Sequence, residues 1–288
     1  ETQIKNRKAL CRLVSKKMTT ENLPIFKFDR NPDYASLWEA CVYTVYNEKA
    51  FANDLERLFL KIGINKASKI IDSAAGSGFP AIELFKRGYN IQCMDKMQDE
   101  VSAFNRRTKK LHLKLKCKKA TWLSMPKLYK KNDFDLLFCR GNSLHFAGGG
   151  WNCNNSQATN KDKSLEMMRK TIRAFYSVIK PGGYIYLDKF FDNEKPSKVK
   201  VADVLINKKH YDLLFYREIK RKEGYRIARM ILKDDKGKEE GLPNMTYPIT
   251  FKEIRDIMAE VGFEQIRNIK LKAETHFGIL MAKKPAQK

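Results

Sequence analysis

KIIDSAAGSGFPAIELFKRGYNIQCMD, residues 69–95, decides the fold. Ile70, Ile71 and Asp72 make a short apolar run that ends in an acid. Ser73, Ala74, Ala75, Gly76, Ser77 and Gly78 make a turn of small residues, after which Ile82, Leu84 and Phe85 mark an amphipathic segment. The order is strand, tight turn, helix. A second strand follows over residues 90–94 and again ends in an acid, Asp95. Glycines let a ligand approach the backbone closely, and the start of a helix offers it unpaired N–H groups. Such a unit suits a nucleotide-type cofactor.

Two cofactors compete for it. Gly76, Gly78 and Ala81 fit the dinucleotide pattern G-x-G-x-x-G/A, with Asp95 near the spacing of a ribose-binding acid. Asp72 discriminates: a carboxylate at the strand end repels a pyrophosphate and favours a cationic sulfonium with a free amino group. The stretch resembles motif I of class I S-adenosylmethionine (SAM)-dependent methyltransferases, acid-x-G-x-G-x-G, with Ala74 in the first glycine place. That resemblance implies that Asp72, Ala74, Gly76 and Gly78 lie by the methionine half of SAM and that Asp95 takes the ribose hydroxyls, flanked by Lys96 and Met97.

The chain has 288 residues, 43% of them hydrophobic, enough for one large core with an insertion. No run reaches the roughly 18 apolar residues of a membrane helix, and the N-terminus lacks the order of a signal peptide, so the expected location is cytoplasmic. Cys11, Cys41, Cys93, Cys117, Cys139 and Cys153 show no C-x-x-C pair, which argues for buried free thiols, no disulfide framework and no metal. The net charge is +24. Between Asn105 and Lys131 stand eleven Lys or Arg and no acid. This basic face either attracts a nucleic acid partner such as RNA, or an acidic membrane surface, or is a solvated surface. Leu111, Leu113, Leu115 and Cys117 alternate with His112, Lys114 and Lys116, the pattern of a half-buried strand with its lysines in water.

Four regions are expected. Residues 1–33 form a basic arm or lid, broken by Pro24 and Pro32. Residues 34–194 hold two leading helices and then a Rossmann-like α/β core: strand 69–72, helix 79–87, strand 90–94, helix 97–108, strand 111–118 and an apolar fourth strand over 133–139. A helix over 165–179 follows, which Pro181-Gly182-Gly183 separates from a strand over 184–188. Strands alternating with helices make a mostly parallel, doubly wound sheet. Residues 195–250 read as an antiparallel insertion with strands over 210–219 and 225–232. Residues 251–288 supply a helix, ended by Gly262, and a closing hairpin. That ending resembles the same class, in which the full sheet has seven strands.

Directly after the fourth strand comes CRGNSLHFAGGGW, residues 139–151. Ligands of open α/β sheets bind outside the carboxyl ends of the strands, so this loop should meet the turn at 72–78. C-x-G-N-S with a following aromatic resembles the glycine/sarcosine/dimethylglycine N-methyltransferases, as does the upstream stretch from Trp38 to Lys49. The resemblance implies that Tyr43 or Tyr46 and Lys49 face the methionine end of SAM. It places Thr121 and Trp122 by the adenine and Cys139 at the strand end. Asn142 and Ser143 would line the methyl-transfer site. Lys49 stands where the family usually has an arginine, which keeps the charge without the bidentate fork. Thr121 stands where an acid is usual.

An amine attacking a sulfonium methyl needs mainly alignment and exclusion of water. Asn142, His145 and Tyr46 are the candidate catalytic residues, with His145 either a base near neutral pH or a structural histidine. Arg140, Asn142, Ser143 and Trp151 are the candidate substrate residues. Arg140 pairs with a substrate carboxylate or with a neighbouring loop. Trp151, Tyr43 and Tyr46 either cage a methylated ammonium or belong to the core. The functions expected are a SAM-dependent N-methyltransferase for a small amine or amino acid, or an RNA methyltransferase guided by the basic faces. A SAM-binding scaffold is the third.

Overall fold

Alternation along the central strands explains why helices cover both faces of the sheet. In this computed structural model, which describes residues 23–151, 159–241 and 243–286, the core sheet is β12-β13-β6-β5-β2-β3-β4. The strands are β2 (Lys69–Asp72), β3 (Asn90–Asp95), β4 (Cys117–Lys119), β5 (Phe134–Cys139), β6 (Ile179–Lys189), β12 (Glu264–Ile269) and β13 (Gly278–Lys283). The first five pair in parallel, while β13 runs antiparallel to β6 and β12 antiparallel to β13. Ile70, Leu136 and Phe138 pack on one face against α2 (Glu48–Ile62), α3 (Ala81–Lys86) and α4 (Gln98–Lys110). Their neighbours Ile71, Leu137 and Cys139 pack on the other against α5 (Met125–Leu128), α6 (Lys161–Val178) and α7 (Phe251–Val261). This is the seven-stranded, Rossmann-like, mostly parallel sheet with a C-terminal hairpin expected from the sequence.

A second sheet is built from β7 (Ser197–Ile206), β8 (Lys209–Lys220) and β9 (Tyr225–Asp234), with β10 (Glu239–Glu240) and β11 (Pro243–Thr246) beside β9. Its other edge is β1 (Ile25–Phe28), paired in parallel with β7. Residues 23–33 thus contribute a strand to the insertion, and the rest of the expected arm lies outside the described residues. Helix α1 (Tyr34–Val45), capped by Asp33, packs Leu37, Ala40 and Cys41 on Val201, Val204 and Leu213 of this sheet. It forms the junction between the two sheets.

Two local expectations are corrected. The strand expected over 111–118 is only β4, Cys117–Lys119. Helix α4 runs on to Lys110, Leu113 N–H returns to the Thr108 carbonyl at 2.9 Å, and Leu111 is 42% exposed. Leu115 and Cys117 still point inward, so a connecting segment carries the alternation of a strand without a partner. Pro181-Gly182-Gly183 does not separate helix from strand, because β6 begins at Ile179 and the three residues are an irregularity inside it, where the register with β5 shifts. Gly182 N–H donates to the Lys284 carbonyl at 2.9 Å and Lys284 N–H to the Gly183 carbonyl at 2.8 Å. A Cβ on Gly183 would sit 3.0 Å from the Asp135 carbonyl oxygen.

Among the described residues Cys41, Cys93, Cys117 and Cys139 are free and buried. No helix there is long and apolar enough to cross a membrane.

Candidate active site

The glycine turn is tied across the carboxyl ends of the neighbouring strands. Ser73 donates from its N–H and Oγ to the Phe138 carbonyl at 2.9 and 2.7 Å, and Ala75 N–H donates to the Met94 carbonyl at 3.1 Å. Gly78 has φ +113°, and a Cβ there would lie 2.4 Å from Ile82 Cδ1, so glycine is required for α3 to start where it does. Asp72 is buried beneath the turn, with Oδ1 accepting from Ala74 N–H at 3.2 Å. Burial pushes its carboxyl up to about 7, against the pull of that N–H and of Arg140. Asp95 closes the turn from β3, accepting from Gly76 N–H on Oδ2 at 3.0 Å and from Met97 N–H on Oδ1 at 2.9 Å. Trp122 Nε1 donates to the Ser73 carbonyl at 2.6 Å, which brings the indole beside the same turn.

The turn faces a cavity of about 780 Å³ between the core sheet, α1 and the antiparallel sheet. Of the residues singled out in the sequence, Tyr46, Ala74, Gly76, Asp95, Lys96 and Met97 line it, as do Trp122, Arg140, Ser143 and Trp151. Asp72, Gly78, Cys139 and Asn142 lie behind that lining. Tyr43 has the Arg107 guanidinium over its ring at 3.7 Å, and Lys49 and Thr121 are exposed away from the cavity. The aromatic trio of Trp151, Tyr43 and Tyr46 is therefore not assembled. Trp151 instead meets Tyr34, Trp38 and Phe146 at 5.1, 6.0 and 4.8 Å between ring centroids.

Arg140 is buried and uses its guanidinium inside the protein. Its Nε lies 3.2 Å from Asp188 Oδ2 and its Nη2 2.9 Å from Glu274 Oε2, above the rings of Phe51 and Phe79. Tyr46 O–H donates to the other oxygen of Glu274 at 2.8 Å. Burial pushes the Asp188 carboxyl up while Arg140 holds it down. Of the two kinds of partner the sequence leaves open to Arg140, the structure provides the protein's own carboxylates. Asn142, at φ +60°, clamps the loop: its N–H donates to Asp188 Oδ1 at 2.8 Å and its Oδ1 accepts from Phe190 N–H at 3.1 Å. It positions Phe190, which does line the cavity. The structure does not bring His145 to the cavity. Its Nδ1 lies 3.2 Å from the Tyr247 carbonyl, and burial with Arg226 and Lys189 nearby holds its pKa well below the usual histidine value.

Several lining residues escaped the sequence reading. Phe215 and Arg217 come from β8, Ser197, Val199, Lys200 and Val201 from β7, and His276 and Phe277 from the link before β13. Arg217 pairs with Glu194 at 2.8 Å and donates from Nε to Ser197 Oγ at 3.0 Å. Asp203, His210 and Asp212 bring donor atoms within 4.8 Å of one another, and the Lys200 ammonium sits 2.9 Å from Asp203 and 2.7 Å from Asp212. No motif announces these residues: those of β7 and β8 belong to a sheet that packs on α1, and His276 and Phe277 lie on a link between two strands.

A family profile described as a methyltransferase domain matches residues 64–231. The chain belongs to this family and is a SAM-dependent methyltransferase. The methyltransferase is 25% identical over 215 residues to a glycine/sarcosine N-methyltransferase of Aphanothece halophytica, covering 69% of this chain and 68% of that one. A second glycine/sarcosine N-methyltransferase, of Parasynechococcus marenigrum strain WH8102, is 25% identical over 246 residues, with 81% and 75% covered. In fold, the methyltransferase is similar to a SAM-dependent methyltransferase from Clostridium acetobutylicum ATCC 824, with TM-score 0.63, 12% identity and 88% and 98% of the chains covered.

Proposed function

We propose that this enzyme transfers the methyl group of SAM to the nitrogen of a small amine or amino acid of the glycine, sarcosine or dimethylglycine type. The observation that carries the reading is the cavity of about 780 Å³ that joins the glycine turn to an aromatic and charged wall supplied by the antiparallel sheet. Its volume is in the range of small-molecule sites, 300–1,000 Å³ as an order of magnitude. The names of the two glycine/sarcosine relatives point to the same acceptors.

The residues present fit SAM. Gly76 has φ +50° and no Cβ, which leaves the backbone open to a ligand, and Asp95 offers a carboxylate beside it. Lys96, Met97 and Trp122 flank that end of the cavity. When bound, SAM supplies an electrophilic methyl carried on a sulfonium. The chain contributes placement and dryness: Tyr46, Phe190, Phe215 and Phe277 shape the far end and keep water out. The ion pairs of Arg140 with Asp188 and Glu274 hold Tyr46 in that wall.

An amino acid arrives at neutral pH as an ammonium, and His276 is placed to relieve it of a proton. Its ring lies 5.4 Å from that of Tyr46 at the cavity edge. Burial, Arg217 and Arg140 hold its pKa below the usual value against the opposite pull of Glu274, so the ring is neutral at neutral pH and takes the proton only in passing it on to solvent.

Incubation with methyl-labelled SAM and, separately, glycine, sarcosine, dimethylglycine and bulk RNA tests the acceptor. Label is expected in the small amines; label in RNA alone would replace this reading with that of an RNA methyltransferase.

A further inference from the structure

Glu100, on the first turn of α4, is 3% exposed and lines the cavity, yet neither of its carboxylate oxygens meets a hydrogen-bond donor among the described residues. A buried carboxyl without donors is unfavourable and calls for an explanation, and a ligand that completes it from the cavity is one. Its position indicates which ligand. A Cβ built on Gly76 would lie 3.5 Å from Glu100 Oε2, so the carboxylate stands directly over the glycine turn. Asp95, the acid assigned from the sequence to the ribose, already receives one backbone N–H on each oxygen, from Gly76 and Met97. Glu100 beside it has all its acceptor capacity open.

We infer that Glu100 is a second receptor for the ribose hydroxyls of the cofactor, acting together with Asp95. The inference rests on the SAM-dependent reading of the site. A vicinal diol brings two O–H donors, and two adjacent carboxylates, one fixed by the backbone and one open, accept both. An acceptor ammonium would also satisfy a carboxylate. Glu100, however, stands at the turn joining β2 to α3, whereas the aromatic and arginine wall that suits an acceptor comes from β8 and the link before β13.

The test is titration calorimetry of the full chain with S-adenosylhomocysteine and its 2′-deoxy and 3′-deoxy analogues. Glu100→Met should weaken S-adenosylhomocysteine by about tenfold or more, the scale of a charge-assisted hydrogen bond. It should weaken at least one deoxy analogue far less, because the partner hydroxyl is already gone. The ligand-free variant should melt no lower than the parent, since a buried carboxyl without donors, pushed towards its neutral form by burial and by Asp95, has been replaced by an apolar chain of similar length. A residue that merely shaped the fold would not discriminate between the analogues. Glu100→Gln, which keeps one acceptor oxygen, should fall between the two and carries the same comparison if the methionine variant does not fold. Unchanged affinity, or an equal loss for all three ligands, overturns the inference. So does unchanged cofactor affinity with a raised acceptor KM. A parent protein that binds no S-adenosylhomocysteine refutes the SAM reading itself, a result distinct from a parent that binds and a variant that binds equally well.

Discussion

A histidine serves a transfer reaction only where its ring can reach the reacting atoms, and His145 and His276 divide on that point. His276 lines the cavity and is the proton acceptor proposed for the incoming ammonium, so His276→Gln should reduce kcat with glycine by about a hundredfold at neutral pH, the low end for loss of a general base. Initial rates with labelled SAM give that number, and affinity for S-adenosylhomocysteine should be unchanged. His145→Gln should leave turnover at neutral pH unaltered and change stability instead. Its folded pKa lies well below the unfolded value of about 6.5, so on acidification the unfolded chain takes up the proton first and stability is lost as the pH falls. Asp72, pushed up to about 7, acts in the opposite sense, because a raised carboxyl favours the folded state as the pH falls towards its unfolded value. The difference between variant and parent isolates His145: between about pH 7 and pH 5 the melting temperature of His145→Gln should fall less. The sequence showed which residue types were present, and it led to the glycine turn and Asp95 because these are contiguous or nearly so. It did not reveal that Glu274 would take Arg140, 134 residues away, and Tyr46, 228 residues away, since such partners are chosen by the folded chain.

Helices were legible where their ends are encoded locally. Thr250 accepts from Glu253 N–H at 3.1 Å while its own N–H donates to Glu253 Oε2 at 2.8 Å, and Gly262 ends the helix at φ +105°, so α7 is bracketed by signals within a few residues. Thr250→Ala should cost about 1 kcal/mol. In a chain of this size that is a fall of roughly 2 °C in melting temperature by calorimetry, with kcat unchanged. Strands are different, because half of what makes them is a partner elsewhere. Residues 111–116 have the alternation without the partner, and β7, which pairs with both β1 and β8, has the partners without an unbroken alternation. The irregular register of β7 between Lys200 and Ala202 breaks the period that would have marked it. That strand supplies Ser197, Val199, Lys200 and Val201 to the cavity, which is why this wall of it stayed hidden while the glycine turn did not.

Over the whole molecule the question is what a net charge of +24 is for, and six lysines at one edge of the core sheet lie apart from the cavity. Lys109 and Lys110 end α4, Lys114 and Lys116 lie on the link to β4, and Lys118 and Lys119 lie on β4, the edge of the core sheet. None of these lines the cavity. Lysines on an edge strand block pairing with another chain and keep the surface solvated. If they also guided a polynucleotide to the site, catalysis would depend steeply on salt. A protein with 6–10 phosphate contacts loses about 10³–10⁵ in affinity between 50 and 200 mM salt. With a small amine as acceptor, kcat/KM should instead vary little over that range. Reversing the edge with Lys116→Glu, Lys118→Glu and Lys119→Glu should leave it unchanged as well, since the substituted side chains face solvent away from the cavity. Rates measured across the salt series for both proteins decide the matter. A collapse of turnover with salt in the parent, and its loss in the reversed variant, would tie the basic edge to the acceptor and make that acceptor a polyanion.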